Sequence, residues 1–206
     1  MKLRHYLIFV LVGFLAFYSG FMTREIEFVS ERSEDFSDRV ATIRSIIATK
    51  KPEKIEATLI FVGDIMLGRA VEKKILKNDS DFNFPFLKIK DYLQRADLVF
   101  GNLEGPISDK GKNQGSVYSF RFRPEVAGAL RDAGFKALSL ANNHIWDWGK
   151  EAILDTIFNL EAAGIGAVGA GRNYEEANRP YFLDVKNLRV AFLAYTNLYP
   201  KSLVAK

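Results

Sequence analysis

Apolar and polar positions divide this chain into three regimes. Tyr6 to Met22 carries no charge at all and follows the basic start Met1-Lys2-Leu3-Arg4-His5. About 17 apolar residues is the lower limit for a membrane-spanning helix, and the basic start predicts a cytoplasmic N-terminus with the remainder outside. An uncleaved anchor over residues 1–22 is the favoured reading. A cleaved signal is the rival, although Ala16-Phe17-Tyr18 is a poor cleavage site. Residues 23–57 are rich in Glu, Arg, Ser, Asp and Lys and read as a charged linker. Within it, Val40, Ile43, Ile46 and Ile47 have the spacing of a short amphipathic helix.

From Thr58 onward, short apolar runs alternate with segments of helical period, which predicts a layered α/β domain over 58–206. Strands are expected at Thr58 to Val62, Leu98 to Phe100, Ala137 to Leu140 and Ile165 to Val168. Helices are expected at Ala70 to Lys77, at Phe86 to Arg95, after Pro124 as far as Gly134, and along the stripe Ile153, Ile157 and Leu160. Ser119 to Arg123 alternates, with Phe120 and Phe122 on one side and Arg121 and Arg123 on the other, as an extended segment does. Tyr181 to Val185 and Arg189 to Tyr195 flank Lys186-Asn187 and read as a hairpin. The last strand runs into Thr196-Asn197 without the look of a domain end, so the sequence is expected to be C-terminally incomplete or a shortened member of its kind.

Composition narrows the chemistry. There is no cysteine, hence no disulfide frame and no thiolate metal site. Residues 1–51 hold 8 basic and 6 acidic side chains, leaving 21 (29 − 8) and 19 (25 − 6) in residues 52–206. Each part is +2, too balanced for a large nucleic-acid footprint.

Three apolar runs end on polar groups: Asp64 after the first, Asn102 and Glu104 after the second, and Asn142-Asn143-His144 with Asp147 after the third. Ligands in open α/β sheets sit at the carboxyl ends of strands. Each residue alone has a plain structural explanation: a turn, a solvated loop, a packed histidine. Asp147 either fixes the His144 tautomer or caps the next helix. Together the positions suit one or two hard divalent ions, Mg, Mn, Fe or Zn, with a histidine to protonate a leaving group. No histidine follows His144, so the visible ligands make about half of a two-metal site. Asn102, Arg121 and Arg123 are the candidate substrate contacts; the two arginines either grip an anion or form a solvated strand face.

Three motifs together resemble the capsule-synthesis CapA family, which is similar to the calcineurin-like metallophosphoesterases. They are Gly63-Asp64-Ile65-Met66-Leu67-Gly68-Arg69, Gly101-Asn102-Leu103-Glu104-Gly105-Pro106-Ile107, and Leu140-Ala141-Asn142-Asn143-His144 with Asp147 and Gly149. The resemblance implies a metallophosphoesterase-like layered domain behind an N-terminal transmembrane helix. It implies that Asp64, Glu104 and Asn143 are metal ligands and that His144, with Asp147, is the general acid. Phosphoesterases carry a histidine two positions after the first aspartate; here that residue is Met66. The implied role is in capsule or poly-γ-glutamate biosynthesis, as a single-pass, extracytoplasmic hydrolase or transferase acting on an anionic polymer beside membrane synthase subunits. The alternative is a non-catalytic anchored subunit that binds the polymer or its synthase.

Overall fold

The computed structural model describes residues 36–45, 55–198 and 200. They fall into two compact units, Met1–Lys54 and Ile55–Lys206. In the first, residues 36–45 form a helix, α1, on which Val40 is half-buried and its neighbours are exposed. The run Tyr6 to Met22 and the expected stripe residues Ile46 and Ile47 lie outside the described residues. Among the described residues, no helix is long and apolar enough to cross a membrane.

The second unit is built on four parallel strands in the spatial order of the sequence: β1 (Leu59–Ile65), β2 (Leu98–Leu103), β3 (Phe135–Ser139) and β4 (Gly166–Val168). The connections carry α2 (Arg69–Lys77), α3 (Lys90–Leu93), α4 (Val126–Ala133) and α5 (Gly149–Ala162). A short helix α6 (Tyr174–Asn178) leads to an antiparallel hairpin, β5 (Tyr181–Val185) and β6 (Leu188–Phe192). Alternation along the strands sends Val99 and Leu138 to one core with Leu130, Ala133, Ile157 and Leu160 of the helices. The opposite face sends Leu98, Ala137 and Val168 against Val185 and Phe192 of the hairpin. There the rings of Phe100 and Phe192 stack at 4.6 Å. Helices on one face and a hairpin on the other give the layered α/β arrangement expected from the alternation.

Boundaries differ from the expectation where backbone pairing decides them. β1 runs on to Ile65, because Asp64 pairs with Asn102 and Ile65 with Leu103. One helix was expected from Phe86 to Arg95. Instead, Phe84–Phe86 is a 3-10 turn and α3 spans only Lys90–Leu93. The first half of the expected helix is held by bonds of 3-10 type: Phe86 N–H donates to the Asn83 carbonyl and Ile89 N–H to the Phe86 carbonyl, both at 2.9 Å. α6 was not foreseen, although Asn173 accepts from Glu176 N–H at its N-terminus.

The long connection after β2 has little structure of its own and is tied to α5. Ile107 N–H donates to Thr156 Oγ1 (2.9 Å), and Asn159 Nδ2 donates to the Ile107 carbonyl (2.9 Å). Asp155 accepts from Ser108 Oγ (2.6 Å) and Lys110 Nζ (2.5 Å). Buried polar groups on an otherwise apolar helix face serve this loop rather than the core. Burial alone would raise the Asp155 carboxyl, but hydrogen bonds from Lys110 and Ser108, with the Lys110 charge, hold it below the ordinary range.

Asp155→Ala is therefore expected to cost about 2 kcal/mol in urea unfolding, since half-exposed Lys110 can resolvate while Ser108 loses its acceptor. The lowered folded value means that the carboxylate stabilises fully above its unfolded pKa of about 3.9 and ceases to do so as pH falls through the folded value. Wild type and Asp155→Ala should thus converge in stability on acidification. A constant gap between them down to pH 2 would contradict this assignment.

Candidate functional site

The carboxyl ends of β1, β2 and β3 lie along one sheet edge, and the polar residues sit there. A bulge aims the first of them. Between Phe61↔Phe100 and Asp64↔Asn102, β1 advances three residues while β2 advances two. The extra residue turns Asp64 onto the same face as Asn102. Asn102 Nδ2 then donates both to Asp64 Oδ1 (2.8 Å) and to Glu104 Oε2 (2.6 Å).

Asn142, just beyond β3, fixes which way that amide faces. Its Oδ1 accepts the backbone N–H groups of His144 and Ile145, both at 3.0 Å. Backbone N–H can only donate, so the Asn142 amide has one allowed orientation. Its Nδ2 must then donate, to Asn102 Oδ1 (3.0 Å) and the Leu103 carbonyl (2.8 Å). Asn102 is in turn left with its N–H groups facing the two carboxylates. An amide relay thus runs from the loop after β3, across β2, to β1. Asn143, its neighbour in sequence, is exposed.

His144 is held from behind. Its Nδ1 lies 2.9 Å from Asp147 Oδ2, and its ring centroid lies 4.3 Å from that of Phe120. Asp147 is 1% exposed and also accepts from Ser116 Oγ (2.7 Å) and Phe120 N–H (2.8 Å). A carboxylate only accepts, so Nδ1 carries the proton and Nε2 is the outward nitrogen. Nε2 stands 3.9 Å from Glu104 Oε1. Of the two roles open to Asp147, orientation of the imidazole is the one present. α5 begins after Trp148, without a side-chain cap.

Glu104 is held above the ordinary carboxylate range, first by burial and then by the Asp64 charge, against the lowering effect of the Asn102 hydrogen bond. Neither carboxylate meets a Lys or Arg among the described residues. Two hard oxygens from adjacent strand ends, in mutual repulsion, fit part of the shell of a divalent cation. The fit is partial: among the described residues, no three His, Asp or Glu side chains converge on one point.

Arg121 and Arg123 project from the extended segment into a cleft of about 520 Å³ beside this edge. Arg123 Nε is paired with Glu72 at 2.8 Å. Arg121 lies over the Trp148 ring, 3.5 Å from its centroid. Sequence reasoning placed Asn142 among the strand-end polar groups without a role of its own and gave none to Ser116, Phe120, Arg69 or Trp148, all of which shape the site. For Asn142 the signal was the doubled amide itself, which cannot be split by spacing alone. Ser116 and Phe120 approach only through the folded loop.

Residues 58–205 match the sequence profile of the family described as "Bacterial capsule synthesis protein PGA_cap". The chain belongs to the bacterial capsule synthesis family PGA_cap. It is 32% identical over 170 residues to the "Capsule biosynthesis protein CapA" of Bacillus anthracis, covering 81% of this chain and 41% of that relative. It is 30% identical over 149 residues to the "PGA biosynthesis protein CapA" of Bacillus subtilis (strain 168), covering 71% and 39%. This PGA_cap chain spans about two-fifths of the length of these curated relatives.

Asn142→Ala removes two donated and two accepted hydrogen bonds at a buried position. It should cost about 3 kcal/mol and broaden the His144 ring resonances in NMR. Unchanged unfolding energy and an unchanged His144 spectrum would show that the relay does not hold the loop.

Proposed function

We propose that this chain is a membrane-anchored, extracytoplasmic component of capsule or poly-γ-glutamate biosynthesis, acting as a metal-dependent hydrolase or transferase on an anionic polymer. Membership of the PGA_cap family supports the pathway. The uncharged run Tyr6 to Met22 behind a basic start supports the anchor and its orientation. The observation that carries the chemistry is His144, with Nδ1 locked on buried Asp147 and Nε2 turned toward the Glu104 carboxylate.

Asp64 and Glu104, with Asn143 at the exposed edge, would hold divalent metal, Mg, Mn, Fe or Zn. A bound ion would polarise the scissile group and lower the pKa of an attacking water. This chain's own residues supply the rest. Asn102 keeps the two carboxylates at a fixed separation. Asp147 stabilises the charged imidazole, which delivers a proton from Nε2 to the leaving group. Phe120 covers one face of that ring and limits water there.

A second reading, a non-catalytic subunit that binds the polymer or its synthase, is favoured by a different observation. Met66 stands where phosphoesterases have a ligand, and no third acidic or imidazole group joins Asp64 and Glu104 among the described residues.

Elemental analysis and polymer output separate the readings. Asp64→Ala should lose most of the bound divalent metal. His144→Ala should keep the metal while cutting polymer-directed turnover by about 10²–10⁴. Output and metal content unchanged in both variants would overturn the enzyme reading and favour the binding subunit.

A further inference from the structure

The cleft beside the strand ends holds three arginines that are not equivalent. Arg123 is occupied by Glu72. Arg121 and Arg69 have no carboxylate partner among the described residues; both lie over aromatic rings. Arg121 stacks on Trp148, and the Arg69 guanidinium lies 5.6 Å from the Tyr118 ring centroid and 5.7 Å from that of Phe120. At 3.5 Å the Arg121 guanidinium rests on the Trp148 ring face, which attracts the cation without accepting its in-plane N–H groups. That geometry is pre-organised for a two-point contact with a planar carboxylate.

Arg69 is also held at a conformational cost. Its φ is +53°, in the left-handed region that side chains other than glycine rarely adopt. Strain of this kind persists where the surroundings over-determine a position and is a pointer to function. The surroundings here are tight: a Cβ on Gly68 would stand 2.8 Å from the Arg121 carbonyl oxygen and 3.3 Å from the Phe122 ring. Only glycine lets the turn before α2 press against the segment that bears Arg121, which brings Arg69 to the same cleft.

Two further groups lack partners. Ser119 Oγ and Trp148 Nε1 are buried with no hydrogen bond, and both residues line the cleft. An indole N–H can only donate, so it requires an acceptor such as an amide carbonyl. Asp109 and Glu125 line the cleft too. With Glu72 they balance the three arginines, which disfavours a densely charged polyanion and suits single carboxylates spaced along an amide-linked chain.

We propose that Arg121 and Arg69, on their aromatic supports beside Ser119 and Trp148, form a subsite for one carboxylate and the adjoining amide of an acidic peptide polymer. The inference rests on the polymer-directed reading above and holds for either its catalytic or its binding form. Arg121 makes the bidentate contact, Arg69 adds the second positive charge, and Arg123 stays with Glu72.

The test uses the whole chain and calorimetric titration, with Trp148 fluorescence as a second readout. The probes are γ-linked glutamate oligomers, α-linked glutamate oligomers of equal length, and inorganic polyphosphate. Arg121→Lys, which keeps charge but loses the fork, and Arg69→Gly should each weaken glutamate-oligomer binding at least about tenfold. Arg123→Gln should weaken it less than about threefold. Arg69→Gly relieves the positive φ, so its melting temperature should not fall even as binding is lost. Equal losses from Arg121→Lys and Arg123→Gln would overturn the subsite in favour of general charge attraction. Polyphosphate bound as tightly, and lost in the same variants, would overturn the carboxylate assignment. Binding of α-linked but not γ-linked oligomers, dependent on Arg121, would uphold the subsite and remove γ-linked polymer as the substrate. Binding of neither glutamate oligomer would overturn the subsite while leaving the metal and turnover results for Asp64 and His144 unaffected.

Discussion

A carboxylate sealed from water must be satisfied by donors, and Asp147 recruits them from three directions. The hydroxyl of Ser116 and the backbone N–H of Phe120 come from the long connection after β2, and the third donor is the His144 ring. Those bonds close the connection over the strand ends. Gln114 N–H donates to the Asp147 carbonyl and Lys112 N–H to the Trp148 carbonyl, which continues the same seam along the backbone. Phe120 is thereby laid against the imidazole. Arg121, the next residue, falls over Trp148, the residue after Asp147. One buried charge thus sets the orientation of the histidine and the position of the cleft wall.

The amide relay gives the other half of the site its order. Hydrogen bonds from Asn142 to Asn102 and to the Leu103 carbonyl cross from the β3 loop to β2, and Asn102 reaches the carboxylates on either side. No cationic side chain intervenes among the described residues. The arrangement tolerates two adjacent carboxylates because the amide offers each a proton while supplying no full charge. The cost is visible at Glu104, which is pushed upward by burial and by Asp64. A cation would relieve that repulsion, whereas a lysine in place of Asn102 would fill the space a cation needs.

Periodicity made the four parallel strands, the main helices and the hairpin legible, because the buried face of each element repeats at the period of its backbone. It missed what pairing and bonding decide. The extension of β1 to Ile65 depends on β2 as a neighbour, and the bulge before Asp64 has no signature in Val62-Gly63 that distinguishes it from a turn. Phe86 to Arg95 had a helical stripe, yet turns of 3-10 type hold its first half and leave α3 only Lys90–Leu93. At the site, Asp64, Glu104, His144 and Asp147 were legible as strand-end polar groups, and the structure brings them together at one edge. The exposure of Asn143 and the burial of Asn142 were not legible, since adjacent amides differ only in which one the loop turns inward. Asp155 and Thr156 carry no periodic signal of their own; they are buried because a loop some 50 residues earlier in the chain bonds to them.

The two arginines of the extended segment show why spacing alone could not rank them. Both leave the same side of one extended segment and both carry the same charge. Their difference lies in what sits opposite. Glu72, on the first turn of α2, meets Arg123 and cancels its charge locally, with half-exposed geometry that contributes little to stability. Trp148 meets Arg121 and cancels nothing, since a ring face attracts the cation without accepting its in-plane hydrogen bonds. A guanidinium supported in this way keeps its donors available for a ligand. In the proposed subsite the neighbours would set the selectivity: Asp109 and Glu125 along the cleft restrict how much negative charge can enter at once, and the unpartnered Trp148 and Ser119 would favour an amide-linked chain over a simple salt.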